Sequence, residues 1–253
     1  MGNCNPVHNP IVPGTKLTKD LIGEKVDSTY YKQIVGSLMY LTTTQPDTMF
    51  VVSLISRFIE GPTEMHLAAA KRVLRYVKGT IGLGVLYRKG EHAELRGYTD
   101  SDYAGDLDDR KSTSGYLFML GSGAVCWSSK KQPVVTLSTT EAEFIAAASS
   151  ACQATWLRRI MKDLCQVQQD STTIFCNNSS AIKLSKNPVL HGRSKHIDVR
   201  FHFLRELTKD EIVQLVYCNT QEQIADILTK PLKTDAFLKL RESMGVCLES
   251  DVN

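Results

Sequence analysis

The sequence predicts an α/β fold in which helices flank a mixed five-stranded sheet and a small helical unit comes first. Two observations predict this arrangement. Three strand-like segments follow one another between residues 94 and 129, as in successive hairpins, and strands then alternate with helices as far as residue 230. With 42% hydrophobic and 23% charged residues over 253 positions, the composition is that of a globular protein and excludes a disordered chain.

The N-terminal part is predicted to be an irregular arm followed by helices. Residues 1–29 are rich in Pro, Gly and Asn and show little periodicity. In residues 30–90, apolar stripes predict two or three helices, separated by Pro46 and Pro62, the last of which ends at Gly79. This short helical unit is expected to pack as an appendage on something larger.

The remaining elements follow from alternation, helical periodicity and turn residues. Strands are predicted at 94–105, 115–121, 124–129, 172–177 and 212–218, and helices at 139–164, 179–186, 194–207 and 221–230. Gly121-Ser-Gly123 suits a hairpin between the second and third strands. Ser138 and Glu141 have the spacing of a capping box, which places the start of the long helix.

Charge and cysteine usage narrow the classes of function. The net charge of +3 and a pI near 8.4 permit contact with nucleic acid without requiring it. The seven cysteines are scattered and form no C-x-x-C pair, which disfavours a disulfide framework and a structural zinc site. We therefore expect His191, His196 and His202 to be solvated helix residues and not zinc ligands. No apolar run approaches the ~18 residues that span a bilayer, and the N-terminus lacks an apolar signal core, so an intracellular protein without membrane contact is expected.

Four carboxylates fall at the ends of predicted elements. Asp100 ends the first strand, and Asp102 shares its face if that strand continues. Glu143 lies in the first turns of the long helix and Asp226 in the last helix. Clustered carboxylates repel one another unless a cation joins them, and two Mg²⁺ ions ~3.5–4 Å apart are a common device for phosphodiester hydrolysis. The spacing is compatible with such a magnesium site, but spacing alone favours four solvated side chains, since most isolated carboxylates are solvated.

Five blocks of sequence, in order along the chain, carry a resemblance to a known family. They are YTDSDYAGDLDDRKSTSGY (98–116), SSKKQPVVTLSTTEAEFIAA (128–147), FCNNSSAIKLSKNP (175–188), HGRSKHIDVRFHFLRE (191–206) and QIADILTKPL (223–232). These blocks closely resemble the RNase H domain of copia-type retrotransposon polyproteins. Upstream, YYKQIVGSLMYLTTTQPD (30–47) and HLAAAKRVLRYVKGT (66–80) are similar to the tail of the reverse transcriptase that precedes that domain.

The resemblance covers nearly the whole chain and implies how it is divided. An irregular arm (1–29) would precede a helical reverse-transcriptase tail (30–90), an RNase H-like domain (91–235) and a C-terminal extension (236–253). It implies a lineage that degrades RNA in RNA–DNA hybrids with two divalent metal ions. Because no YxDD motif is present, we expect a fragment that starts after the active-site carboxylates of the polymerase.

The family's four acidic positions transfer to this sequence with one departure. Asp100, Glu143 and Asp226 match the first, second and fourth positions, both as metal ligands and as catalytic residues. The third, an Asp within Cys-Asp-Asn, is Asn177 here. A neutral amide is a weaker ligand than a carboxylate, so two Mg²⁺ ions would be held less tightly and weak or absent nuclease activity is expected. Asp102 could substitute in part, or relatives could keep an Asp at this position.

Basic residues provide candidates for contact with a hybrid. Lys130, Lys131, Arg193 and Lys195, together with Arg158, Arg159, Lys183 and Lys186, could line a surface that binds the nucleic-acid backbone. The alternative is that they are ordinary solvated charges. Trp127 and Trp156 are expected to pack in the core.

A pattern from another class of protein lies in the helical tail. Arg72, Val73, Leu74 and Arg75 match the RxLR translocation motif of oomycete secreted effectors. On the predicted helix, Val73 and Leu74 face inward while Arg72 and Arg75 share an outer face. The alternative function is therefore a secreted, non-enzymatic effector that binds a host protein inside host cells. A transposon remnant without a selected function is the third hypothesis.

Overall fold

The computed structural model describes residues 3–19, 22–89, 94–186 and 198–248. Its central feature is a five-stranded sheet with the order β4-β3-β2-β5-β6. The strands are β2 (Leu95–Ser101), β3 (Thr113–Leu120), β4 (Gly123–Lys131), β5 (Thr172–Cys176) and β6 (Val213–Tyr217), and a short β1 (Leu83–Val85) lies outside this sheet. β2, β3 and β4 pair antiparallel, whereas β5 and β6 run parallel to β2. The predicted mixed five-stranded sheet is confirmed.

Three helices accompany the five-stranded sheet: α4 (Thr139–Asp163), α5 (Ser179–Lys186) and α6 (Asp198–Lys209). α4 packs closely on the sheet because its inner surface is built from small residues, among them Ala147, Ala151 and Ala154, which are fully buried. The predicted cap is present. The Ser138 hydroxyl accepts a hydrogen bond from the Glu141 amide, which fixes where the long helix starts.

The N-terminal helices are α1 (Ser28–Leu41), α2 (Met49–Ser56) and α3 (Glu64–Gly79). They share a core of their own, to which the arm contributes Ile11 and Leu17. α2 contacts β4, and the indole nitrogen of Trp127 on β4 donates to the Thr42 carbonyl at 2.8 Å. The helical unit is thus packed on the side of the sheet opposite α4, as the sequence predicts for an appendage.

The predicted helix at 221–230 is wrong. The chain instead makes two short 3₁₀ helices, Thr220–Glu222 and Ile224–Leu228. The reason is local competition for backbone donors: the side chain of Asn219 accepts from the Gln221 amide and that of Gln223 accepts from the Ala225 amide. Each side chain starts a new turn, and Gln223 itself is extended, so a continuous α-helix cannot form.

The C-terminal extension returns to the segment that precedes the RNase H-like domain, where β1 lies. α7 (Thr234–Ser243) leads through Gly245, at φ +83°, into β7 (Val246–Leu248), which pairs antiparallel with β1. A left-handed glycine just beyond a helix end lets the chain reverse without steric strain.

The prediction that Trp156 packs in the core is also wrong, since its side chain is 52% exposed on the outer surface of α4.

Candidate active site

Asp100 lies near the end of β2, on the side of the sheet opposite α4. It is only 1% exposed, and its pairing partner on β3 is Gly115. A β-carbon at Gly115 would come within 2.7 Å of the Leu228 β-carbon, so glycine is needed for the 3₁₀ segment Ile224–Leu228 to approach the sheet. This close approach brings the Thr229 hydroxyl onto the Asp100 carboxylate, to which it donates a hydrogen bond.

Glu143 reaches the same place from the second turn of α4. Its carboxyl group lies by the backbone amide of Ser101, the last residue of β2, and this amide acts to lower the pKa of Glu143. Gln132 braces this junction, because its side-chain amide donates both to the Ser101 hydroxyl and to the Ala142 carbonyl. Glu143 is 6% exposed, and its Oε2 atom is buried without a hydrogen-bond partner.

The third carboxylate, Asp226, lies on the 3₁₀ segment and is 5% exposed. The three acidic side chains share one electrostatic environment. Burial, and next the charge of Asp100, raises the pKa of Glu143 to about 9 and that of Asp226 to about 7. Lys230 opposes this repulsion, since its Nζ atom lies 2.9 Å from Asp226 Oδ1 and 3.5 Å from Asp100 Oδ2.

The chemistry of this cluster fits a divalent cation, although the present arrangement is closed around Lys230. Buried carboxylates and an oxygen without a partner are what Mg²⁺ or Mn²⁺ would satisfy. Within the parts of the chain that the structure describes, no three His, Cys, Asp or Glu side chains are grouped so that they could hold a metal ion. Metal binding by the three carboxylates therefore requires some rearrangement of their side chains.

Asn177 directly follows β5, the parallel neighbour of β2. Tyr98 pairs with Phe175, and their rings stack on the side of the sheet that carries Asp100. Continuing this register by two residues brings Asn177 level with Asp100 and on the same side. Its assignment as the third position of the acidic set remains a prediction with this register as support.

Asp102 lies beyond the end of β2, and its polar groups contact Thr113 and not the acidic cluster. Its carboxylate accepts a hydrogen bond from the Thr113 amide, and its own amide donates to the Thr113 carbonyl at 3.1 Å. Burial raises the pKa of Asp102 to about 6. It shares a cavity of about 130 Å³ with Thr229 and Lys230, so it is a neighbour of the acidic cluster. Its role as a substitute ligand stays a prediction, and it would require release from Thr113.

The basic residues differ in how free they are to bind nucleic acid. Lys130 is exposed, but Lys131 Nζ lies 2.9 Å from both Asp106 Oδ2 and Asp109 Oδ2. The Arg158 guanidinium donates to three oxygens of residues 168–172, which closes the loop before β5. Three more, Arg159, Lys183 and Lys186, are exposed, whereas Arg193, Lys195, His191 and His196 lie outside the described residues.

The two arginines of the RxLR pattern are turned toward the N-terminal arm. Arg72 Nε donates to the Asn9 carbonyl at 3.1 Å, and Arg75 Nε donates to the Asn5 carbonyl at 2.8 Å. The two arginines do share a face of α3, and the arm partly covers that face. Their guanidinium groups provide donors for two backbone carbonyls of the arm. Val73 is fully buried, as predicted.

Sequence reasoning missed Thr229 and Lys230, the two residues that contact Asp100 most directly through polar groups. A signal for Lys230 was present, because it follows Asp226 at the i,i+4 spacing that favours an ion pair. No comparable signal exists for Thr229, whose contact with Asp100 spans 129 residues of chain.

Comparison with known proteins assigns the chain to a family. It is 42% identical over 253 residues to the "Retrovirus-related Pol polyprotein from transposon TNT 1-94" of Nicotiana tabacum. The alignment covers 97% of this chain and 19% of that polyprotein. The chain belongs to the copia-type retrotransposon Pol polyproteins. This copia-type sequence therefore spans about a fifth of the tobacco relative, and no protein-family model matches it.

Two further matches bear on the copia-type chain. A "Secreted RxLR effector protein 161" of Plasmopara viticola is 45% identical over 128 residues, covering 50% of this chain and 90% of that protein. An RNase H1 crystallised with an RNA/DNA hybrid is structurally similar, with a TM-score of 0.40 and 12% identity, over 54% of this chain and 94% of that one.

In the described parts, no helix is both long enough and apolar enough to cross a bilayer.

Proposed function

We propose that this chain is an RNase H-type unit of a copia-type polyprotein that binds a divalent cation and an RNA–DNA hybrid, with weak hydrolysis of the RNA strand. One observation carries the proposal. Glu143, Asp100 and Asp226 are buried together near the C-terminal end of the central strand β2, and Glu143 Oε2 has no hydrogen-bond partner. A buried carboxylate without a partner is costly unless a cation satisfies it.

The named carboxylates have separate tasks in this proposal. Asp100, Glu143 and Asp226 would hold the divalent cation, which when bound supplies an activated water and neutralises charge on the phosphate. Ser101 and Gln132 orient Glu143 through the junction of β2 and α4. Asn177 contributes an amide instead of a carboxylate, which reduces the negative charge available to a second cation. Hydrolysis is therefore expected to be weak.

Binding of the hybrid would be dominated by its phosphates. Exposed Lys130, Arg159, Lys183 and Lys186 are available for contact with a nucleic-acid backbone, whereas Lys131 is already paired. Such contacts are independent of base sequence and weaken with salt. A site of action inside the cell, together with the other Pol activities, is part of the same proposal.

Cleavage of a labelled RNA–DNA hybrid with Mg²⁺ or Mn²⁺ tests the proposed function. We expect slow cleavage by the parent chain that is lost in Asp100→Asn. Duplex DNA of the same sequence is the substrate control. Cleavage that persists in Asp100→Asn would show a contaminating nuclease. If there is no cleavage and no salt-sensitive hybrid binding, the proposed function is wrong.

A secreted effector is the second candidate, favoured by the similarity to the Plasmopara viticola protein. Arg72 and Arg75 already serve this chain by binding the arm, which supplies a structural reason for both residues. Measuring whether the producing organism secretes the protein tests this candidate. Retention in the producing cell, with the double variant Arg72→Ala, Arg75→Ala behaving like the parent, would rule it out.

A further inference from the structure

Lys230 is embedded in the acidic cluster. Its Nζ atom is within 2.9 Å of Asp226 Oδ1 and 3.5 Å of Asp100 Oδ2, while its side chain is 36% exposed. Thr229, the preceding residue, is anchored to Asp100 through its hydroxyl, which places the lysine backbone next to the cluster. The ammonium group is thus positioned by its two carboxylate partners and by a backbone that Thr229 anchors beside them.

The net charge of the acidic cluster leaves room for one divalent cation beside Lys230. When Asp100, Glu143 and Asp226 are ionised and Lys230 is protonated, the site carries two net negative charges. Asn177 adds none, because an amide is neutral. A single divalent cation would balance that charge, whereas a second one would leave the buried site positive, which is unfavourable in a medium of low dielectric.

We propose that Lys230 is a resident cation that takes the place of one divalent ion, so that this chain binds one Mg²⁺ or Mn²⁺ and binds it against the repulsion of the ammonium group. This inference rests on the proposed function, since it concerns the same three carboxylates. It also accounts for why Asp100, Glu143 and Asp226 are not arranged as a metal-binding group in the described structure: two of them are drawn to Lys230.

Titration of the purified full chain with Mn²⁺, followed by electron paramagnetic resonance of the free ion, measures the number of sites and their affinity directly. Lys230→Met removes the charge and keeps much of the length of the side chain, and Lys230→Gln is a second variant if the first does not fold. Lys230→Arg keeps the charge. Lys233→Met is the matched control, since Lys233 is exposed and three residues away.

We expect one Mn²⁺ per parent chain. Binding should be about tenfold tighter in Lys230→Met and Lys230→Gln, and unchanged in Lys230→Arg and Lys233→Met. If Asp100→Asn abolishes binding while removal of the lysine charge leaves the affinity within twofold of the parent, the resident-cation inference is overturned and the cation site stands. If the parent and Asp100→Asn bind Mn²⁺ equally, the cation site itself is wrong and the proposed function falls with the inference.

Discussion

The phenol of Tyr76 on α3 donates a hydrogen bond to the carboxylate of Asp47, and both side chains are buried. Arg241 Nη1 on α7 lies 3.1 Å from the same phenol oxygen. This chain of contacts joins the helical unit to the C-terminal helix, across 165 residues of sequence. The helical unit and α7 are therefore coupled through a buried polar network, in addition to the pairing of β1 with β7.

Tyr76→Phe should destabilise the protein by about 1–3 kcal/mol, because it removes the hydroxyl that satisfies buried Asp47. Urea unfolding followed by circular dichroism measures the change in the free energy of unfolding. Tyr217→Phe is the matched control: Tyr217 is 59% exposed, so a change within about 0.5 kcal/mol is expected. Equal stability of Tyr76→Phe and the parent would show that the network contributes no net stabilisation.

Asn177→Asp should increase hybrid cleavage by roughly 10²-fold, because it restores a carboxylate level with Asp100. Steady-state rates on the labelled hybrid provide the measurement. Asn178→Asp adds the same charge one residue away, and its side chain can still accept from the Ala181 amide as Asn178 does. A similar gain in both variants would mean that added charge alone, and not the ligand position, is responsible.

The stability of the metal-free chain should fall as the pH rises from about 5 to about 9. Burial and the neighbouring Asp100 raise the pKa of Glu143 to about 9 and of Asp226 to about 7 in the folded state. A carboxyl group whose pKa is raised by folding stabilises the protein below its unfolded pKa, and that contribution disappears as the pH rises through the folded value. Unfolding free energies measured across this range test the sign.

Glu143→Gln should flatten that pH dependence, since the glutamine cannot ionise, whereas Glu60→Gln at an exposed position should leave it unchanged. Mn²⁺ at millimolar concentration should reduce the loss of stability at high pH, because it binds the ionised form in the folded state. A stability that rises over the same pH range in the parent would contradict the environment described for Glu143.

The double variant Arg72→Ala, Arg75→Ala should expose the N-terminal arm to proteases. Both arginines bind backbone carbonyls of the arm, at Asn9 and Asn5, and their loss leaves those carbonyls without these donors. Limited proteolysis with mapping of the cleavage sites by mass spectrometry provides the test. Lys71→Ala is the control, because Lys71 is an exposed residue of the same helix. Unchanged cleavage in residues 3–19 would show that the arm is held by other contacts.

Much of the architecture is readable from local pattern. The alternation of β2 and β3, the apolar stripes of the N-terminal helices and the capping of α4 by Ser138 depend on neighbours within a few residues, so periodicity predicts them. The family resemblance added the functional grouping of Asp100, Glu143 and Asp226, which local spacing left open. Exposure of Trp156 was missed because an apolar residue on a helix does not reveal whether that face has a partner.

Other features depend on which surfaces meet in space. Gly115 allows the 3₁₀ segment to approach β3, and only that approach brings Thr229 and Lys230 to Asp100. The pairing of β1 with β7 likewise joins segments more than 150 residues apart. The sequence therefore specifies most of the central elements and the carboxylates, because these are set by short-range geometry and residue type. The closure of the acidic cluster around a lysine is set by long-range packing, which leaves no periodic signature in the chain.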